Sequence, residues 1–181
     1  LENINRFTEQ ALYYARSEHT EKDYSIREIS LNDAIHGAIA DNKYLLRQNN
    51  VTVIVDDAEH SVYSDDKWVR FILDQIIGNA VKYRAGQPVL HFYSKNENDR
   101  IILSVEDNGI GIPESDLPRI FEKGFTGQNG RTIHSSTGIG LYLCKRLCDK
   151  LGIGISVYSD GKGSTVSLSF HINDFVYGVQ G

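Results

Sequence analysis

Three polar side chains recur at helical spacing within an apolar stretch near the middle of the chain. Gln75, Asn79 and Tyr83 are four residues apart, which places them along one edge of a helix face. Amides in an apolar stripe cost free energy unless something satisfies their hydrogen bonds. The spacing fits two interpretations equally well: amides bonded to nearby backbone, or a polar wall facing a ligand, with Lys82 close enough to meet an anion.

A carboxylate stands at the end of an alternating strand. Ile101, Leu103 and Val105 share one side of this strand. Asp107 continues that side, so it is expected at the mouth of the same core, where it could accept a hydrogen bond from an amine. Residues 108–111, Asn-Gly-Ile-Gly, allow a sharp turn and a close approach of backbone to a flat ligand. Such a motif is also common in ordinary turns.

Two further glycine-rich segments invite the same question. Residues 138–141 open a helix, and a helix start with small residues offers free N–H groups and a positive dipole end to phosphate. The alternative is a plain helix start in which glycine aids packing. Residues 161–165, Gly-Lys-Gly-Ser-Thr, join two strands and would by themselves be a hairpin turn.

The elements that must position these residues form an α/β pattern without regular alternation. Helices are predicted at about 30–48, with Ile35, Ile39, Tyr44 and Leu45 on its apolar face, and at 65–83 and 138–151. Strands are predicted at about 24–29, 51–55, 62–64, 88–93, 101–107, 153–158 and 164–171. This order predicts a two-layer sandwich in which a mixed or mostly antiparallel sheet packs on about three helices.

Composition narrows the class of protein. The 181 residues are 40% hydrophobic with a net charge of −5, as expected for one folded domain and not for a nucleic-acid binder. No apolar run approaches the roughly 20 residues of a membrane-spanning helix. Cys144 and Cys148 share a helix face and are expected to be reduced, packing thiols in the absence of further ligands at metal-binding spacing.

Taken in order, five segments resemble the motifs of the histidine-kinase branch of the Bergerat-fold ATPases, the GHKL superfamily. They are the N box at 74–83, the first glycine box at 107–113, the F box at 120–125, the second glycine box at 137–141 and the last glycine-containing box at 161–165. The resemblance covers roughly residues 26–170 and implies the Bergerat ATP-binding fold. It implies ATP and Mg²⁺ as cofactors and a phosphoryl transfer to histidine.

The resemblance also assigns roles to residues. It implies a catalytic set of Gln75, Asn79 and Lys82, with Asn79 as the metal ligand, and a lid at 121–137. Asp107 would accept from the adenine amine and Thr165 would contact the adenine side. The implied nucleotide-binding residues are Asn79, Lys82, Tyr83, Asp107, Gly109, Gly111, Ile112, Phe125, Thr137, Gly138, Ile139, Gly140, Leu141 and Thr165.

One position departs from the hydrolytic members of the superfamily. Gln75 stands where those ATPases have a glutamate that activates water. An amide cannot act as a general base at neutral pH, so the departure favours transfer to histidine over hydrolysis. It leaves open whether Gln75 contributes to the metal shell. A degenerate regulatory module without catalysis is the alternative, and an anti-sigma type of serine kinase is disfavoured by the first helix.

That first helix carries an apolar seam, Ile4, Phe7, Ala11 and Tyr14, typical of a helix that pairs with another helix. None of the six histidines is followed by the acidic residue and proline of a phosphoacceptor site. We therefore expect residues 1–20 to be the end of a dimerisation domain and its linker, with the catalytic domain at 21–181, both excised from a longer protein.

The sequences of residues 11–17 and 123–127 resemble those of a narrower group of kinases. These are the intramembrane-sensing kinases of Gram-positive bacteria that respond to bacitracin and other antimicrobial peptides. This similarity implies a cytoplasmic domain of a protein in the bacterial cell membrane. The implied partners are its own dimerisation domain in a homodimer, a response regulator and an ABC transporter, with no nucleic acid.

Overall fold

The computed structural model describes residues 24–132 and 137–172. In chain order its elements are β1 (Arg27–Ser30), α1 (Leu31–Asp41), α2 (Lys43–Gln48), β2 (Thr52–Asp56), β3 (Ser61–Ser64), α3 (Asp66–Lys82), β4 (Val89–Glu97), β5 (Arg100–Asp107), α4 (Gly127–Thr132), α5 (Gly140–Leu151), β6 (Gly154–Ser159) and β7 (Ser164–His171), with a 3₁₀ turn at Leu117–Arg119. The predicted helix at the start of the chain lies outside the described residues.

The main sheet has five strands in the order β2-β4-β5-β7-β6, and β1 pairs with β3 in a separate two-stranded ribbon. The β2–β4 pair is parallel and the other three pairs are antiparallel. The helices cover one face, so the predicted two-layer sandwich with a mixed sheet is confirmed. None of the helices in the described ranges has the length and apolar content that a membrane span requires.

The core lies between the sheet and the helices α1, α3 and α5. Phe92, Leu103 and Leu168 point into it from three neighbouring strands, and all three are fully buried. Ile35 and Ile72 meet them from α1 and α3 with no exposed surface. Each such side chain stabilises the fold by roughly 1.5–3 kcal/mol when it is buried, so the helix layer is held by apolar packing.

Helix α3 begins and ends as the sequence predicts. Asp65 is its N-cap and accepts a hydrogen bond from the backbone N–H of Trp68, at 3.3 Å. The other carboxylate oxygen accepts from the backbone N–H of Ser25, at 2.7 Å. The cap therefore fixes the entry of the chain and the start of α3 together. Tyr83 is the C-cap, after seventeen helical residues.

The predicted single helix at 30–48 is wrong, because it is broken at Asn42. This residue has φ −96° and ψ 9°, and it separates α1 from α2. Its side-chain amide donates to the carbonyl of Ala38, at 2.9 Å, and to Asp74 Oδ1 on α3, at 2.7 Å. The break rotates the following residues, so Tyr44 is 66% exposed and does not share the apolar face. Asn42 thereby anchors the corner to the helix that carries the N box.

The β4–β5 hairpin is tighter than predicted. Both strands extend to a two-residue turn at Asn98 and Asp99, whose φ values are 48° and 60°. Asn and Asp tolerate this left-handed region, as such hairpin turns require. The resulting register places Leu90 opposite Asp107. The last residue of β5, Asp107, thus lies beside the start of β4.

Candidate functional site

A cavity of about 440 Å³ opens between α3, the end of β5 and the start of α5. This volume lies within the range of about 300–1,000 Å³ typical of ligand pockets. Its lining residues are Leu45, Asn49, Gln75, Ile76, Gly78, Asn79, Ala80, Val81, Lys82, Tyr83, Arg84, Asp107, Gly111, Ile112, Pro113, Asp116, Ile120, Phe125, Thr126, Gly127, Asn129, Gly130, Thr137, Gly138, Gly140, Leu141, Val157, Ser164 and Val166.

One wall is the second half of α3. Gln75, Asn79 and Tyr83 all line the cavity, so the polar stripe faces a cavity rather than packed protein. Eight residues separate its ends, which is about 12 Å along the helix axis. Gln75 is 6% exposed, and the Lys82 Nζ lies 5.3 Å from the centroid of the Tyr83 ring.

The C-terminal end of this wall is joined to the first glycine loop. The Tyr83 carbonyl accepts a hydrogen bond from the backbone N–H of Ile110, at 2.9 Å. A Cβ on Gly109 would come 2.7 Å from Asp107 Oδ1, so the loop needs glycine there. The helix wall and the strand end are therefore held in fixed relation by backbone contacts.

The Asp107 carboxylate is oriented by two donors. Its Oδ1 accepts from the backbone N–H of Gly109 at 2.8 Å, and its Oδ2 accepts from the hydroxyl of Ser164 at 2.5 Å. An ionised carboxylate offers about four lone-pair sites, so each oxygen retains acceptor capacity. Because Asp107 and Ser164 both line the cavity, the arrangement is suited to accept a hydrogen bond from an amine on a bound ligand.

Gly111 is buried at a close approach of two loops. Its φ is +69°, and a Cβ there would lie 2.8 Å from the carbonyl carbon of Gly161 and 3.0 Å from Ser159 Oγ. Contacts this short involve backbone, which cannot move aside cheaply. The first and last glycine-containing boxes therefore meet here, and glycine keeps the cavity wall flat.

The far side is closed by contacts between the F box and the second glycine box. The backbone N–H of Gly124 donates to the carbonyl of Gly138, at 3.0 Å. Gly138 has φ +65°, and a Cβ there would approach the nitrogen of Phe125 to 2.6 Å. The Arg119 guanidinium lies 4.5 Å from the centroid of the Phe125 ring. A hydrogen bond to Glu122 raises the pKa of Arg119, which therefore keeps its charge over the ring.

Helix α5 starts at the cavity. Ile139 is its N-cap, and no side chain in the described residues makes the capping hydrogen bond. Gly140 and Leu141, in the first turn, line the cavity. Unsatisfied N–H groups and the positive end of a helix dipole favour an anion at such a point.

Most of the predicted site residues line this one cavity. They are Gln75, Asn79, Lys82, Tyr83, Asp107, Gly111, Ile112, Phe125, Thr137, Gly138, Gly140 and Leu141. Gly109, Ile139 and Thr165 are not among the lining residues. Gly109 orients Asp107 through its backbone, and Ile139 packs against the core as the N-cap of α5.

The position of Thr165 follows from the alternation of side chains along β7. Side chains alternate along β7, and Val166 and Leu168 are buried on the helix side. Ser164 shares their side and bonds to Asp107, whereas Thr165 points to the opposite face of the sheet. Ser164, which lines the cavity, is not among the predicted site residues, and the alternation of side chains along β7 could have indicated it. Leu45 and Asn49 also line the cavity, and no sequence signal indicates them.

Two of the described histidines have structural contacts away from the cavity. His60 Nδ1 lies 2.7 Å from Ser94 Oγ, and His91 Nε2 lies 3.0 Å from Asp56 Oδ2. None of the histidines within residues 24–132 and 137–172 lines the cavity. His19 and His134 lie outside the described residues.

Comparison with known proteins identifies the family. Residues 64–174 match the family described as histidine kinase-, DNA gyrase B-, and HSP90-like ATPase. The chain is 38% identical over 167 residues to the sensor histidine kinase YxdK of Bacillus subtilis (strain 168), covering 90% of this chain and 51% of that protein. It is 35% identical over 169 residues to the sensor histidine kinase GraS of Staphylococcus haemolyticus (strain JCSC1435), covering 92% and 49%. It therefore spans about half the length of these relatives.

Solved structures share the fold. The catalytic domain of histidine kinase ThkA superposes with a TM-score of 0.69 at 21% identity, covering 81% of this chain and 95% of that domain. ThkA in complex with the response regulator protein TrrA gives a TM-score of 0.72 at 18% identity, covering 93% of this chain and 48% of that chain. The five boxes lie around one cavity, and the family match covers more than half of the 181 residues. The chain therefore belongs to the histidine kinase-, DNA gyrase B-, and HSP90-like ATPases, a family of ATP-binding domains.

Proposed function

We propose that residues 21–181 are the catalytic domain of a sensor histidine kinase, which transfers the γ-phosphoryl group of ATP to a histidine outside this sequence. The observation that carries the proposal is the content of one cavity. An oriented carboxylate, Asp107, a helix-borne amide, Asn79, and the first turn of α5 all line it. The carboxylate suits the amino group of a base, the amide suits a metal ion bound to a polyphosphate, and the helix start suits the phosphates themselves.

The base would be read by the sheet side of the cavity. Asp107 is held by Gly109 and Ser164 so that its remaining lone pairs can accept from an exocyclic amine. Guanine presents a carbonyl where adenine presents this amine, and a carboxylate would repel it. Val157 and Val166 supply apolar surface next to these polar groups. Specificity for adenine over guanine is therefore the expected property of this wall.

The residues present fit a Mg²⁺ ion only if the ligand brings most of the oxygens. No three His, Cys, Asp or Glu side chains in the described ranges cluster as a metal site. Mg²⁺ favours few protein oxygens combined with phosphate and water, and Asn79 offers one such oxygen at the cavity. When bound, the ion would neutralise charge on the transferred phosphoryl group. The protein's own part is to hold that oxygen on a rigid helix.

The phosphates would be met by amides rather than by a catalytic base. The first-turn N–H groups of α5, at Gly140 and Leu141, lie at the positive end of the helix dipole. Lys82 adds a cation from the α3 wall. Positioning and charge stabilisation of this kind account for most of phosphoryl-transfer catalysis.

Gln75 decides between transfer and hydrolysis. It lines the cavity but carries an amide, which cannot take a proton from water at neutral pH. Intrinsic hydrolysis is therefore expected to be slow, whereas transfer to a supplied histidine does not require activation of water. A purely regulatory module without catalysis is disfavoured, because the carboxylate, the amide and the α5 start are all present in one cavity.

The rest of the parent protein is inferred from relatives. We propose that residues 1–20 are the end of its dimerisation and phosphoacceptor domain, which forms a homodimer. A response regulator is the expected downstream partner, since ThkA has been solved with one. From the likeness of residues 11–17 and 123–127 to intramembrane-sensing kinases, we propose a parent protein in the cell membrane with an ABC transporter as a further partner.

Radiolabelled ATP tests the transfer directly. The chain is incubated with Mg-ATP, alone and with the histidine-bearing dimerisation domain of its parent protein. We expect acid-labile label on the added domain and none on this chain. A His→Ala variant of the added domain is the matched control and should remain unlabelled. Acid-labile label on this chain itself, or tight ATP binding without any transfer, would contradict the proposal.

A further inference from the structure

One peptide group of the cavity wall is held from both sides by side chains outside the five boxes. It joins Gly111 to Ile112. Its carbonyl oxygen, on Gly111, accepts from the side-chain amide of Asn129 at 3.0 Å. Its N–H, on Ile112, donates to the hydroxyl of Ser159 at 2.9 Å. Because a peptide group is planar, these two bonds together fix the orientation of that plane.

The Ser159 hydroxyl has a defined direction. It donates its single proton to the carbonyl of Gly163 at 2.5 Å, so its lone pairs are left to accept from Ile112. Ser159 thus links the first glycine loop to the last one. These are the loops that approach each other at Gly111 and Gly161. The serine lies at the end of β6, an edge strand of the main sheet, which gives it a rigid base.

Asn129 holds the plane from the other side of the cavity. It belongs to α4, within the segment that follows the F box. The same short helix is anchored by the buried carboxylate of Asp116, which accepts from the backbone N–H of Gln128 at 2.8 Å. A shift of α4 would therefore move the Gly111 carbonyl through the side-chain amide of Asn129.

We propose that Ser159 and Asn129 are positioning residues that set the Gly111–Ile112 plane for recognition of the adenine base. This inference rests on the proposed nucleotide site. Neither residue belongs to the boxes that identify the family. Asp107 supplies the hydrogen bond that selects adenine, and the clamped plane sets how closely the ring can approach that carboxylate. Losing either side chain frees the plane to rotate, so base selectivity declines along with affinity.

The test compares base selectivity in single and double variants of the full chain. Displacement of a fluorescent ADP analogue measures affinities for ADP and GDP. Ser159→Ala and Asn129→Ala should each weaken ADP binding about tenfold, as loss of one well-placed hydrogen bond does, with a smaller change for GDP. The double variant should lose less than the product of the two, because either change already releases the shared plane.

Two matched controls separate this role from a structural one. Ser156→Ala lies on the opposite, exposed face of β6, and Asn96→Ala lies at an exposed position of β4. Both should keep the ADP:GDP ratio of the unaltered chain. An unchanged ratio in Ser159→Ala, or multiplicative losses in the double variant, would overturn the inference. Absence of ADP binding in the unaltered chain would instead count against the proposed function.

Discussion

The two walls of the cavity hold their polar groups in different ways. On the sheet wall, each functional group is fixed by another polar group, as Asp107 is by Gly109 and Ser164. On the helix wall, Asn79 projects from a helix that is held in place by apolar residues such as Ile72 and Ile77, both fully buried. The sheet wall is organised around hydrogen bonds between its loops, whereas the helix wall is positioned mainly by the apolar packing of α3.

This difference predicts different responses to substitution. In a network, one change alters both the shape of the wall and its chemistry, so nucleotide affinity falls and some stability is lost with it. On a helix packed through its other face, a polar side chain can be removed with little cost in folding free energy. The substitutions below test this contrast, from the largest expected effect to the smallest.

Gly111→Ala should produce the largest loss of binding. The methyl group would sit at φ +69° and 2.8 Å from the backbone of Gly161. Strain of about 1–2 kcal/mol adds to displacement of the wall, so ADP affinity should fall by about a hundredfold or more, as measured by calorimetry. Gly86→Ala is the control, since its φ is +51° but no atom lies within 4 Å of the new Cβ. Equal ADP affinity in both variants would show that the wall is not tightly fitted.

Asp107→Asn should weaken ADP binding by about 1.5–3 kcal/mol, the value of a charge-assisted hydrogen bond. The amide also presents an N–H₂ group toward one of the donors that now face the carboxylate, Gly109 N–H or Ser164 Oγ. A modest fall in melting temperature without ligand should therefore accompany the loss of affinity. Calorimetry with ADP and a thermal melt check both parts, and unchanged affinity would reduce Asp107 to a turn residue.

The thiols of α5 should be unreactive while the protein is folded. Burial raises the pKa of Cys144 and raises the pKa of Cys148 to about 12. Thiolate is the reactive form, so labelling at pH 8 should be on the order of a hundredfold slower than in denaturant. The raised pKa means that the folded protein holds the thiol protons more tightly than the unfolded chain does. The free energy of unfolding is therefore unaffected by these thiols below pH 9.0, the ordinary pKa of the group, and declines as pH rises from there toward 12.

Thiol labelling also probes the helix layer. A disulfide-based chromophore followed with time, with and without saturating ADP, measures how often α5 opens. Rapid labelling of the native protein at pH 8 would mean that α5 is poorly packed. That result would remove the rigid support that the α5 amide groups need at the phosphates.

Gly37→Ala should have the smallest effect and the opposite sign. Alanine in a helix interior gains about 0.5–1 kcal/mol over glycine. The new Cβ would lie 2.9 Å from Arg70 Cζ, the far end of a flexible side chain that pairs with Asp41. An exposed pair of this kind contributes about 0–1 kcal/mol, so a urea titration should show a gain of a few tenths of a kcal/mol. A loss above about 1 kcal/mol would show that the helix layer is less tolerant than its packing suggests.

The helix wall could be predicted from the sequence more completely than the sheet wall. Helix period and cap chemistry are local, so α3 with its Asp65 cap and its polar stripe could be predicted from the residues alone. The period of two likewise placed Asp107 with the helix-facing side of β5. It would have placed Ser164 as well, had it been preferred to the motif analogy that pointed to Thr165.

The remainder depends on contacts between distant segments, which no local pattern encodes. The break at Asn42 depends on a bond to Asp74, 32 residues away. Leu45 and Asn49, which follow that break, line the cavity. The clamp on the Gly111–Ile112 peptide joins residues from β6 and α4. These partners lie far apart in the sequence, so the hydrogen bonds of the sheet wall could not be predicted from local patterns.

The Mg²⁺ dependence of ADP affinity in Asn79→Ala tests the central claim most directly. Calorimetry is run with and without Mg²⁺ on this variant and on the unaltered chain, alongside thermal melts without nucleotide. We predict that Asn79→Ala loses the Mg²⁺-dependent part of the affinity, because a neutral oxygen ligand is gone. It should keep Mg²⁺-free binding and its melting temperature, since Ile76 and Val81 pack α3 without it. A large drop in melting temperature with Mg²⁺ dependence intact would contradict the account and make Asn79 a structural amide.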